Sequence, residues 1–107
     1  MGTIAEVSDA TFQSDVLEND APVLVDFWAP WCGPCRAVAG VLEDMVKTRD
    51  DLRIVKMNVD DNQQTASRYE VQGLPLLILF RDGQPVTRVT GAKPRRLLEA
   101  AIAPALT

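Results

Sequence analysis

Two apolar patterns alternate along the chain. Val23-Leu24-Val25-Asp26-Phe27-Trp28 and Pro75-Leu76-Leu77-Ile78-Leu79-Phe80 are short, nearly continuous apolar runs, as expected of strands covered on both faces. Between them, Val38, Val41, Leu42, Met45 and Val46 recur at helical spacing, predicting a helix from the Cys32–Cys35 segment to about Arg49. Leu52 to Val59 reads as a further strand, and Gln63 to Tyr69 as a short helix opened by Asp60, Asp61 or Asn62. Ser8 followed by Asp9 signals a helix start, with Phe12, Val16 and Leu17 on one face, after a weak strand around Ile4 to Val7. Asp82-Gly83 is a tight hairpin signal, returned by a strand over Val86 to Thr90. Pro94 suits the first turn of a last helix, with Leu97, Leu98, Ala101 and Ile102 expected to face inward.

Alternation along the first buried strand puts Val23, Val25 and Phe27 on one face and Leu24, Asp26 and Trp28 on the other. The first two central strands are joined by a helix and should be parallel, with a right-handed crossover. The last two form a hairpin and should be antiparallel. The expected fold class is therefore α/β, a central mixed β-sheet flanked by helices on both faces. With no repeat or low-complexity linker, one domain is expected over residues 1–107.

Composition narrows the function classes. Eleven Lys and Arg against fifteen Asp and Glu give a net charge of −4, which argues against a nucleic-acid partner. The longest apolar run, Leu74 to Phe80, is far short of the ~20 residues of a membrane span, so no membrane partner is expected. Met1 to Glu6 has neither a basic region nor a long apolar stretch, so no leader is expected and the expected location is cytoplasmic. Two cysteines are too few for a disulfide scaffold, and the absence of histidine excludes Ser–His or Cys–His catalysis and His-ligated metals.

The chemistry concentrates in Trp31-Cys32-Gly33-Pro34-Cys35, where a buried strand turns into a helix. The positive end of a helix stabilises a thiolate, so Cys32 should ionise more readily than a free cysteine. Cys35 lies one turn deeper on the same side, and the two sulfurs can form a disulfide or resolve a mixed one. Gly33 permits the tight turn, and Pro34 suits a first helical turn. The pattern points to dithiol–disulfide exchange, Cys32 attacking and Cys35 resolving. A zinc or iron–sulfur half-site shared between chains, or two inert buried thiols, are the other readings of such a pair.

Asp26, in the middle of an apolar strand, should be desolvated and its pKa raised. It is the candidate proton carrier for Cys35, against the alternative of a buried carboxylate satisfied by an ion pair or water. Lys56 on the next predicted strand could oppose that rise, or bury its stem and send its head to solvent.

The segment Val25 to Arg36, with Gly73-Leu74-Pro75, Asp82-Gly83 and Gly91-Ala92, resembles the thioredoxin family over essentially the whole chain. The resemblance implies the thioredoxin fold and a cis peptide before Pro75, beside Cys32 and Cys35. It also implies a shallow apolar substrate groove rimmed by Trp31, Gly33, Pro34, Leu74, Pro75, Gly91 and Ala92, with Trp28 packed beneath as support. The implied activity is reduction of protein disulfides. The redox-active disulfide would be the whole machinery, with no metal and no other cofactor. Disulfide-containing proteins would be the targets, a separate reductase the electron donor, and the working unit a monomer. Gly40 departs from the family where many members have a helix-kinking proline; Ala37 and Leu76 also depart, the latter making the groove more apolar. An oxidase or isomerase on the same fold usually carries a histidine between the cysteines, and here that pair is Gly33-Pro34. A binding or scaffold subunit is the alternative from another class. The basic cluster Lys93, Arg95 and Arg96 reads as a docking patch or, more simply, a solvated face.

Overall fold

The computed structural model describes residues 4–107. Met1 to Thr3, the first half of the segment expected to carry no leader, lie outside the described residues. Five strands form one sheet: β1 (Ala5–Glu6), β2 (Val23–Trp28), β3 (Arg53–Asn58), β4 (Leu76–Arg81) and β5 (Gln84–Thr90). Three helices accompany them, α1 (Gly33–Thr48), α2 (Gln63–Arg68) and α3 (Arg95–Leu106), with a π-helical turn at Gln13–Leu17. The strand order is β1-β3-β2-β4-β5, with β2 and β3 parallel and β4 antiparallel to both β2 and β5.

The two apolar runs become the two central strands because only a position covered on both faces removes every one of their side chains from water. Leu24, with Leu77 and Leu79 of β4, packs against Val38, Leu42 and Met45 of α1 and Leu98 and Ile102 of α3. Val23, Val25 and Phe27 face the other way, into a core shared with Val16, Phe12, Ile78 and Phe80. There Phe12, Tyr69 and Phe80 form a ring cluster with centroids 5.0–5.6 Å apart. The expected alternation along β2 is therefore observed, and so is the cover on both faces. The hairpin turn also follows expectation: Asp82 and Gly83 both take positive φ, 54° and 78°, as a type I′ turn requires.

Three local expectations are corrected. On α3 the buried stripe is Leu98 and Ile102, flanked by partly buried Ala105 and Leu106, whereas Leu97 is 44% exposed and Ala101 is exposed. Spacing of 4, 3 and 1 residues along this stripe fits one helix face, and Leu97 and Ala101 fall to its side. The predicted first helix is only the π-helical turn, after a turn at Ser8–Thr11. Asp9 does not start it. Its carboxylate accepts hydrogen bonds from Thr65 N (2.9 Å), Thr65 Oγ1 (2.6 Å) and Gln64 N (3.2 Å), capping α2 from 55 residues away. In return Asp9 N donates to Asn62 Oδ1 at 2.8 Å, so Asn62 does not cap its own helix. α1 runs through Gly40 without interruption.

Candidate active site

β2 ends at Trp28, and Ala29–Trp31 lead directly into α1. Cys32 occupies the N-cap, its N–H donating to Ala29 O at 3.1 Å, and Pro34 lies in the first turn. No acidic side chain sits in that turn, so nothing there offsets the positive end of the helix. Cys35 lies one turn along, and Cys32 and Cys35 are joined as a disulfide with their Cα atoms 5.4 Å apart. The residues are only 5% and 4% exposed, packed with Ala29 and against Trp28, Val59 and Leu74.

Beneath them Asp26 is 2% exposed. Its Oδ1, and Nε1 of Trp28, are buried without a hydrogen-bond partner among the described residues. Asp26 lines a cavity of about 150 Å³ together with Cys32, Cys35, Trp28, Arg36 and Lys56. Desolvation pushes the carboxyl up to about 7, and the charge of Lys56 acts against this rise. Lys56 is the direct neighbour of Asp26 on β3. It is half-buried, and its Nζ lies 5.6 Å from the centre of the Trp28 ring.

The residues expected to rim a groove fall into two groups. Leu74, Pro75 and Gly91 line one depression of about 330 Å³, where the Leu74–Pro75 bond is cis and Gly91 N donates to Pro75 O at 3.0 Å. Trp31, Gly33 and Pro34 are exposed on the α1 side, and Ala92 is exposed just after Gly91. Trp31 is 70% exposed yet tethered, its indole N–H donating to both carboxylate oxygens of Asp60 at 3.1 and 3.3 Å. Sequence reasoning missed Asp60 as this partner, although its place just past β3, level with the end of β2, was a usable signal. It also missed Arg36 at the cavity and Arg88 at the depression beside Pro75; the only sequence signal for Arg88 was strand alternation. Among the described residues, no three His, Cys, Asp or Glu side chains are grouped to hold a metal.

A family model described as Thioredoxin matches residues 3–104. The chain belongs to the thioredoxin family. Thioredoxin 1 of Synechococcus elongatus is 50% identical over 92% of this chain and 92% of its own. The thioredoxin of Mycobacterium tuberculosis is 53% identical over 87% of this chain and 81% of its own. The bifunctional thioredoxin reductase/thioredoxin of Mycobacterium leprae is 49% identical over 91% of this chain, which spans 21% of that protein. The five-stranded mixed sheet with flanking helices is the thioredoxin fold. With the disulfide at the family's active-site position, the protein is a thiol–disulfide oxidoreductase that reduces protein disulfides.

Proposed function

We propose that Cys32 is the attacking thiolate, Cys35 the resolving thiol and Asp26 the proton carrier for Cys35. The observation that carries this is the shared cavity, which is lined by both cysteines and by Asp26, whose buried Oδ1 has no hydrogen-bond partner among the described residues. Reduced Cys32 attacks a target disulfide, forms a Cys32–target bond and expels the target's other sulfur as a thiolate. Asp26, ionised in part near pH 7, accepts the Cys35 proton. The Cys35 thiolate then attacks the Cys32 sulfur, closing the intramolecular disulfide and releasing the second target thiolate. The cavity walls are mostly apolar, but Asp26, Lys56 and Arg36 line it and its size admits water, which would carry the proton across it. Lys56 tunes the carboxyl, and Trp28 supports the site from below.

Trp31, Gly33, Pro34, Leu74, Pro75, Gly91 and Ala92 form the substrate groove, in which Leu74 offers its backbone to an extended target segment. The other half-cycle needs a dithiol donor. A separate thioredoxin reductase is the natural one, since one relative joins a reductase and a thioredoxin in a single chain. A reducing compartment, the cytoplasm, is the setting that keeps the two thiols reduced; no described helix is long and apolar enough to cross a membrane. We read residues 1–107 as one domain acting as a monomer.

The test is resolution of a mixed disulfide between Cys32 and a target peptide, followed against pH. The wild-type rate should rise through an inflection near 7, where Asp26 ionises. Asp26→Asn should lose the inflection and slow resolution about 10²-fold at pH 7, the usual scale of general base catalysis. An unchanged profile would remove Asp26 from the mechanism. Cys35→Ser should accumulate the Cys32 mixed disulfide, which identifies the attacking sulfur directly.

A further inference from the structure

We propose that Arg88 is a positioning residue for substrate: from β5 it holds the start of the Val71–Pro75 loop, and so the groove rim beside Cys32 and Cys35. The inference rests on reading Leu74 and Pro75 as that rim. β5 and the residue that follows it hold the loop at both ends. At the far end Gly91 N donates to Pro75 O. At the near end the Arg88 guanidinium donates from Nη1 to Tyr69 O at 2.7 Å and from Nη2 to Glu70 O at 3.3 Å. Two positions three residues apart, one on β5 and one just past its end, thus set where the loop begins and where it stops.

The register explains how Arg88 reaches. It pairs with Ile78 of β4, and Ile78 belongs to the core on the α2 side of the sheet. Cross-strand neighbours project to the same face, so the Arg88 side chain is sent toward the end of α2. Glu70 gives the grip its purpose. It takes φ of 56°, a left-handed conformation disfavoured for any residue with a Cβ. The chain must reverse there to leave α2 and enter the groove loop. Its surroundings hold the reversal: Glu70 N donates to Ser67 O, Val71 N to Ala66 O, and the Tyr69 ring is fixed against Phe12 and Phe80. The guanidinium completes the set by capturing two successive carbonyls with two of its planar donors, which a lysine's point charge does not match. Arg88 makes no ion pair among the described residues. It lines the same depression as Leu74 and Pro75. Its part is geometric: it fixes the height of a backbone that a target must meet with its disulfide in line with Cys32.

The experiment measures KM and kcat separately for reduction of insulin, coupled to a thioredoxin reductase. Arg88→Met should raise KM about tenfold, equivalent to one lost hydrogen bond to a charged donor, with kcat nearly kept. The Cys32–Cys35 potential against glutathione should not move. Arg88→Lys should recover part of the KM, reaching one carbonyl at a time. Adding Glu70→Gly to Arg88→Met should restore KM to within about threefold, because glycine takes the left-handed turn without help. An unchanged KM in Arg88→Met overturns the proposal, as does a joint loss of kcat and KM that Glu70→Gly does not repair. Ala92→Tyr, which fills the groove from its other rim, separates the two levels. If it raises KM and Arg88→Met does not, the groove stands and the Arg88 assignment falls; if neither does, the groove reading falls with it.

Discussion

Two aspartates, one at the start of α2 and one in β2, show how one side chain is put to different ends. Asp9, half-buried, accepts three hydrogen bonds at the start of α2. Burial pushes its carboxyl up, but the bonds from Thr65 and Gln64 together outweigh this and hold it below its ordinary range. Asp26 lies in a strand with every neighbour apolar except Lys56, and its Oδ1 finds no partner among the described residues. Desolvation dominates there, and the pKa rises to about 7. Asp9 is a fastener that does its work ionised. Asp26 is poised between two protonation states at neutral pH, which suits a proton carrier and costs stability.

The comparison breaks most visibly at Asp26. Its folded pKa lies above the unfolded value, so the folded chain holds the proton more tightly and stability falls as pH rises from about 4 to about 7. Across that span the gap from 3.8 to about 7 corresponds to about 4 kcal/mol. Asp26→Asn removes this loss: denaturation at pH 8 should find the variant more stable by up to that amount, and the advantage should vanish near pH 4. A variant no more stable at pH 8 would place the charge in solvent contact and remove the contrast.

Asp9→Ala should act in the opposite sense and more weakly. Losing the cap of α2 should cost about 1 kcal/mol at neutral pH. Because the Asp9 pKa is lowered, its contribution is present above the unfolded value and lost as pH falls through the folded one. The melting curves of the variant and the wild type should therefore converge in acid. Curves that stay apart there would mean that the carboxylate's charge is not what fastens α2.

Lys56→Met gives the smallest change and sharpens the account of Asp26. Removing the opposing charge should move the Asp26 inflection upward from about 7, read in the pH profile of mixed-disulfide resolution. A downward move would mean that Lys56 had not been stabilising the carboxylate.

How far the site could be read beforehand differs by kind of evidence. Cys32, Cys35 and their place at a helix start follow from local spacing, and Asp26 declares itself as one charge in an apolar strand. Arg88, by contrast, looks like any polar residue on an edge strand, because its partners are carbonyls eighteen and nineteen residues away. Leu97 was misplaced for a related reason: helical spacing permits several neighbouring stripes, and only the sheet beneath α3 selects Leu98 and Ile102.

By itself the sequence determined the periodicities, and with them the four longer strands, the three α-helices, the two faces of β2 and the dithiol at the head of α1. These depend on residues within a few positions of each other, whose geometry the backbone dictates. Only the tertiary structure decided that Asp9 caps α2, that Trp31 is tied to Asp60, and that one cavity joins Asp26 to both cysteines. Those arrangements depend on strand order and register, which bring distant residues together through burial of the whole sheet and leave no mark in the local pattern.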